Sequence, residues 1–117
     1  MVDMFDSCHS LTSINISHFD TSNVKYLNCM FRSCYALTSV DLSNFKTEKL
    51  KEINDLFYNC TKLSYIDIST FHESLKYDTR LFENINSSGE IVISENISEA
   101  IHPIFENLKL DWTITEK

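Results

Sequence analysis

Glycine and proline are almost missing from this chain: there is one of each, Gly89 and Pro103, in 117 residues. Phosphate-cradling loops of the P-loop or dinucleotide type need several glycines so that backbone amides can approach the anion, and a single glycine excludes them. Long apolar runs are missing too. No stretch approaches the ~18–20 consecutive apolar residues of a membrane span, and the N-terminal "MVDMFDSCHS" lacks the basic-then-apolar layout of a signal peptide. Basic residues are few, with 10 Lys+Arg against 17 Asp+Glu for a net charge of −7. That balance repels nucleic acid and anionic membrane surfaces, so neither is expected as a partner. What remains is 43% hydrophobic and 12% aromatic, which is the composition of a folded chain rather than a disordered one, at a length suited to one domain.

The chain repeats itself. The pairs Met4-Phe5, Met30-Phe31, Leu56-Phe57 and Leu81-Phe82 recur at spacings of 26, 26 and 25. Three residues after each Phe stand Cys8, Cys34, Cys60 and then Ile85, and six after it stand Leu11, Leu37 and Leu63. Further columns follow: Ile14, Val40, Ile66 and Ile91; Ile16, Leu42, Ile68 and Ile93; Phe19, Phe45 and Phe71; Val24, Leu50 and Leu75. A fixed period of this size, with many apolar columns in register, identifies a repeat architecture. The one-residue shortfall falls between Phe71 and Leu75, which places it in a loop.

Inside each unit the periodicity switches. "LTSINIS", "LTSVDLS" and "LSYIDIS" end in strict alternation over β-branched residues, which predicts a short strand. "DTSNVKYLNCMFRSC" spaces Val24, Leu27 and Phe31 three and four apart, which predicts a helix, with Thr21 or Ser22, Thr47 and Ser74 as N-caps. The run "KTEKLKE" reads as a solvated helix face. A unit this small cannot bury its own apolar side, so equivalent strands are expected to stack as a parallel sheet.

The sequence therefore predicts an α/β leucine-rich-repeat solenoid of about 26-residue strand-loop-helix coils, with coils over residues 1–96 and a C-terminal capping segment over 97–117. Pro103 is expected in the first turn of a final helix holding Ile104, Phe105 and Leu108, with Trp112 and Ile114 lying across the open end of the core. Met1 aligns with Leu27 and Ile53, inside a repeat, and the expectation is a longer solenoid of which this is the tail.

The runs "MFRSCYALTSVDLSNF", "MFDSCHSLTSINISHFDTSNV" and "LFYNCTKLSYIDISTF" closely resemble the BspA-like leucine-rich-repeat surface proteins, whose unit reads roughly MFxxCxxLxxLDLSxFDTSNVxxM. The resemblance covers residues 1 to about 95 and departs from the pattern at "HESLKY" and in the degenerate fourth unit. It implies a leucine-rich-repeat solenoid that is secreted or displayed on a surface, adheres to host or neighbouring-cell proteins, and has no catalytic residues to carry over.

Candidate sites follow from the columns. Equivalent cysteines in a stack point the same way rather than at each other, and no C-x-x-C is present, so the sequence points to a buried thiol ladder ahead of a disulfide or a metal site. Cys8 beside His9 is the one cue for a thiol nucleophile, but neighbours in extended chain point apart, and Tyr35 and Thr61 fill the His9 column. His18, His72 and His102 fall in different columns and form no ligand set. The outward strand column Asn15, Asp41 and Asp67, flanked by Ser39, Tyr65, Ser43 and Ser69, forms a polar, acidic strip. Adjacent Asp41 and Asp67 repel, so the strip either costs stability or attracts a basic partner surface. A flat column offers too few oxygens for a calcium cage. Four N-x-S/T sequons, at Asn15, Asn59, Asn86 and Asn96, are no more informative than the Asn- and Ser-rich composition.

The sequence thus points to a non-enzymatic protein-binding or adhesion module with no cofactor, whose partner is a protein. The rivals are a purely architectural segment and, remotely, a thiol-dependent enzyme.

Overall fold

The computed structural model describes residues 1–117. Its elements run β1 (Ser39–Asp41), β2 (Tyr65–Ile68), β3 (Ser88–Ile93), a single 3-10 turn (Glu95–Ile97), α1 (Ser98–Asn107) and β4 (Asp111–Glu116). The four strands form one parallel sheet in the order β1-β2-β3-β4. Val40, Ile66, Ile91 and Ile114 stand opposite one another across it. Strands and columns agree, because one repeat length carries the chain from each strand to its neighbour.

The same layering runs through the rest of each unit. Leu37 and Leu63 are fully buried, and Leu11 packs against the same cluster of 28 buried residues. Phe5 and Phe31 stack at 5.9 Å and 6°, Phe31 and Phe57 at 6.1 Å and 1°, and Phe57 and Phe82 at 5.8 Å and 11°. The stack ends where Phe105 of α1 meets Phe82 edge-on at 4.9 Å and Trp112 meets Phe105 at 5.5 Å. Offset and edge-on ring pairs add to the area they bury.

The repeated helices are not there. Residues 20–35 and 46–60 run through β-turns interrupted by parallel bridges at Tyr26 and Glu52, and the α-helix of the molecule is α1. Alternate amides close turns, as Met30 N–H to Leu27 O at 3.2 Å and Arg32 N–H to Cys29 O at 3.3 Å. The intervening amides reach sideways into the next unit, as Cys29 N–H to Asn54 O at 2.9 Å, Phe31 N–H to Leu56 O at 3.2 Å and Ser33 N–H to Tyr58 O at 2.7 Å. Each unit thus exchanges the i→i−4 bonds of a helix for bonds between layers. Left-handed residues make this geometry possible. Asp3, Cys29 and Asp55 form one positive-φ column, and Ser7, Ser33, Asn59 and Asn84 form another. A 3–4 apolar spacing serves such turns as well as a helix, since both return a side chain to the same face after about one turn of chain.

Other expectations are corrected in the same way. Thr21 and Thr47 are buried linkers rather than N-caps: the Thr21 hydroxyl accepts from Lys46 N–H at 2.8 Å, and that of Thr47 donates to Thr70 O at 2.6 Å. The segment Leu11–Ser17 is not a strand. Thr38 N–H to Thr12 O at 3.0 Å ties it to β1, and it has a neighbour on that side alone, so it does not settle into the ladder.

At the C-terminal end, α1 begins at Ser98, so Pro103 lies in its interior rather than in its first turn. Trp112 is buried against Phe105 at the end of the aromatic stack, and Ile114 packs against the same core. They belong to β4, paired in register with Gly89 and Ile91, and the indole N–H donates to Asn86 O at 2.8 Å. Residues 97–117 therefore add one more layer in which a helix replaces the turns. Gly89 has a clear cause, because a Cβ there would run into the Ser64 carbonyl of the preceding unit.

Candidate functional site

The acidic column is built at the C-terminal end of the strands. Each member folds back on its own chain: Asn15 Oδ1 accepts from Ser17 N–H at 3.1 Å, Asp41 Oδ1 from Ser43 N–H at 2.9 Å, and Asp67 Oδ1 from Ser69 N–H at 2.9 Å. These are Asx-turns, in which a short carboxylate or amide satisfies the amide two residues on and turns the chain out of the strand. Ser43, through its hydroxyl and its amide, holds the Asp41 carboxyl below the usual carboxylate range.

Asp41 and Asp67 stand directly opposite each other, but they are not equivalent. Asp41 is exposed, whereas Asp67 is 3% exposed and its Oδ2 meets Lys117 Nζ at 3.3 Å. The Lys117 ammonium reaches back from beyond β4 and offsets the like-charge contact that the sequence alone leaves uncompensated. Ser39, Tyr65, Glu90 and Thr113 form the neighbouring row across the sheet, in register. Burial, followed by the charges of Asp67, Asp41 and Glu90, pushes the Tyr65 hydroxyl above its ordinary value. The structure thus brings Ser39, Asp41 and Tyr65 together on one face, adds Glu90, and withdraws Asp67 into the fold. Asn15 is exposed beyond the edge of the sheet, and Ser43 and Ser69 serve the turns. Glu90 was legible, since "GEIVIS" aligns it with Tyr65 once Ile91 is matched to Ile66.

The thiol ladder has a defined partner. Cys34 Sγ–H donates to Phe5 O at 3.0 Å, and Cys60 Sγ–H donates to Phe31 O at 2.9 Å, each binding the phenylalanine of the preceding unit. All four cysteines are free. Burial is the largest cause that pushes Cys34 up to about 11 and Cys60 up to about 12. A thiol held that far from thiolate is a poor nucleophile. The His9 ring lies against Tyr35 at 4.9 Å.

A charge relay that the sequence reading did not anticipate crosses the turn side. Arg32 grips Asp6 with Nη2–Oδ2 at 2.7 Å and Nε–Oδ1 at 3.2 Å, and its Nη1 lies 3.9 Å from Asp55. Arg80 binds the same Asp55 at 2.7 Å and covers the Tyr58 ring. Asp55 is 4% exposed with Oδ1 unpartnered, while its amide donates to Asp78 Oδ1 at 3.2 Å. Burial first, then the neighbouring Asp78 carboxyl, raises Asp55 to about 6. The period places each pair in one column, since Arg32 follows Asp6 by 26 residues and Arg80 follows Asp55 by 25, and the opposite charges meet once the layers are stacked.

No helix is long and apolar enough to cross a membrane. A family model described as "Mycoplasma protein of unknown function, DUF285" matches residues 1–94, which is the repeated part of the chain. Neither the curated proteins nor the solved structures contain a match.

Proposed function

The chain belongs to the DUF285 family, and on that premise we propose that it is a non-enzymatic protein-binding or adhesion module displayed on a surface. Its architecture in this reading is a leucine-rich-repeat solenoid of the BspA-like kind, and its binding face is the solvent side of the parallel sheet. The observation that carries the reading is the row Ser39, Tyr65, Glu90 and Thr113 beside Asp41, held in register by backbone bonds so that hydroxyls, one phenol and two carboxylates face outward together. Rigid display of this kind lowers the ordering cost of binding, and a half-buried tyrosine among polar groups is a suitable interface anchor. The thiol-enzyme alternative rests on Cys8 beside His9, and the His9 ring is instead packed against Tyr35.

A second reading has its own observation. Asn15, Asp41 and Asp67 are each used inside the fold as Asx-turns, which suits a purely architectural segment. The two are separated by capture of surface proteins from an intact-cell extract on the immobilised chain, with native protein against a Asp41→Ala/Tyr65→Ala/Glu90→Ala variant. A captured protein lost by the variant at unchanged melting temperature supports the binding face. Equal capture by both, or none by either, leaves the architectural reading.

A further inference from the structure

A second charged ladder lies on another side of the units, and it is made of lysine. Lys25, Lys51 and Lys76 recur at 26 and 25 residues, the period of the phenylalanines. The backbone seats them on successive layers, with Lys51 N–H on Lys25 O at 2.7 Å and Lys76 N–H on Lys51 O at 2.9 Å. All three are exposed and none makes an ion pair, whereas both arginines and Lys117 do. Glu52, the carboxylate nearest in sequence, makes no ion pair with them, and its Oε1 accepts from the side-chain amides of Asn28 and Asn54 at 3.4 Å each.

The three lysines line one open cleft of about 670 Å³ together with Lys49, His72 and the exposed ring of Tyr26, and the four lysine ammoniums outnumber the two carboxylates there, Glu48 and Glu52. Ammoniums repeated at the ~4.8 Å layer spacing repel, and the fold gains nothing visible from them. On a chain of net charge −7, such a column is a local inversion of sign that a complementary polyanion would offset.

We propose that the Lys25–Lys51–Lys76 ladder is a track for a linear acidic polysaccharide bearing at least one carboxylate or sulfate per sugar. The rise of one sugar in an extended glycan is close to one layer, so successive anionic groups meet successive ammoniums. Lysine is a compact point charge that accepts sulfate or carboxylate without a fixed fork geometry. The flat face of Tyr26 suits the C–H face of a pyranose. A bilayer is flat where the cleft is concave, and single-stranded nucleic acid needs several stacking rings where the cleft offers one. This site is separate from the sheet face and stands or falls independently of it.

The test is calorimetric titration of the intact chain with a heparin-derived octasaccharide. The native protein is compared with K25A/K51A/K76A and with K46A/K62A/K109A, which removes the same net charge elsewhere, and thermal melting confirms that all three are folded. The ladder variant loses roughly tenfold or more in affinity and about three charges of salt dependence, by the logic of counterion release, while the control triple stays within about twofold. Lys51→Gln alone gives an intermediate loss. Equal losses in both triples, no binding by the native chain, or tighter binding of a dodecathymidylate or of phosphatidylserine vesicles through the same lysines would each overturn the proposal.

Discussion

Phe31 and Phe57 lie face to face, 6.1 Å apart and 1° from parallel, although 26 residues separate them. Both are fully buried. That pair states the principle of the molecule: a residue finds its partner in the same position of the next unit.

Truncating the middle of the phenylalanine stack is therefore costly. Phe57→Ala removes a ring packed on both faces and is expected to destabilise by about 3–5 kcal/mol, as for other buried aromatics. Phe5→Ala, at the half-buried end of the stack, costs less. Urea denaturation of the two variants measures the difference, and equal losses would speak against a layered core.

Ser33 holds φ at 58° without being glycine. Ser33→Gly relieves left-handed strain of roughly 1–2 kcal/mol at an entropic cost of about 0.5–1 kcal/mol, so a net gain of several tenths of a kcal/mol is expected. A helix at this position would instead lose stability on the same change, and the sign of the shift in urea midpoint distinguishes the two conformations.

Asp55 makes stability depend on pH in an unusual direction. Its folded pKa of about 6 lies above the ordinary 3.8, so the folded state binds the proton more tightly. The contribution is fully present below about 3.8 and is lost as pH rises through about 6. Arg32, Arg80 and Asp78 face the group, and Asp78, held low by its hydrogen bonds to Asp55 against the opposing effect of burial, acts in the opposite sense at more acid pH. Asp55→Asn keeps a residue that tolerates the left-handed backbone and removes the titration. Denaturation at pH 5 and pH 7 should show the native chain losing stability between the two and the variant losing less; identical slopes would contradict the assignment.

The cysteines should divide by depth. With folded pKa values of about 11 and about 12, Cys34 and Cys60 are expected to resist iodoacetamide at pH 8 in the native state. The half-buried Cys8 and Cys29 should react ahead of them. Peptide mass mapping of the alkylated protein reads the order. Rapid modification of Cys60 would reopen a reactive-thiol role.

The positions of β1, β2 and β3 and the apolar columns were legible, though not the absence of a strand at Leu11–Ser17, because burial between layers demands the same residue type at the same step, as with Leu37 and Leu63 or Ile66 and Ile91. The turns were not. Left-handed positions are ordinarily marked by glycine, and here Cys29, Ser33, Asp55 and Asn59 occupy them, so a 3–4 spacing looked helical. Residues 97–117 hid their layer because α1 shortens the step from Phe82 to Phe105 and from Ile91 to Ile114 to 23 residues. Of the candidate face, Ser39, Asp41 and Tyr65 were found from alternation alone. The withdrawal of Asp67 required Lys117, which lies 50 residues away and follows no column.

Nuclear Overhauser contacts between the methyl groups of Leu37 and Leu63, recorded on isotopically labelled protein in solution, test the layered arrangement most directly. Strong cross-peaks between these two, joined by others linking the Phe31, Phe57 and Phe82 rings in sequence, are the result that stacked units require. Their absence, with each leucine instead contacting residues of its own unit alone, would contradict it.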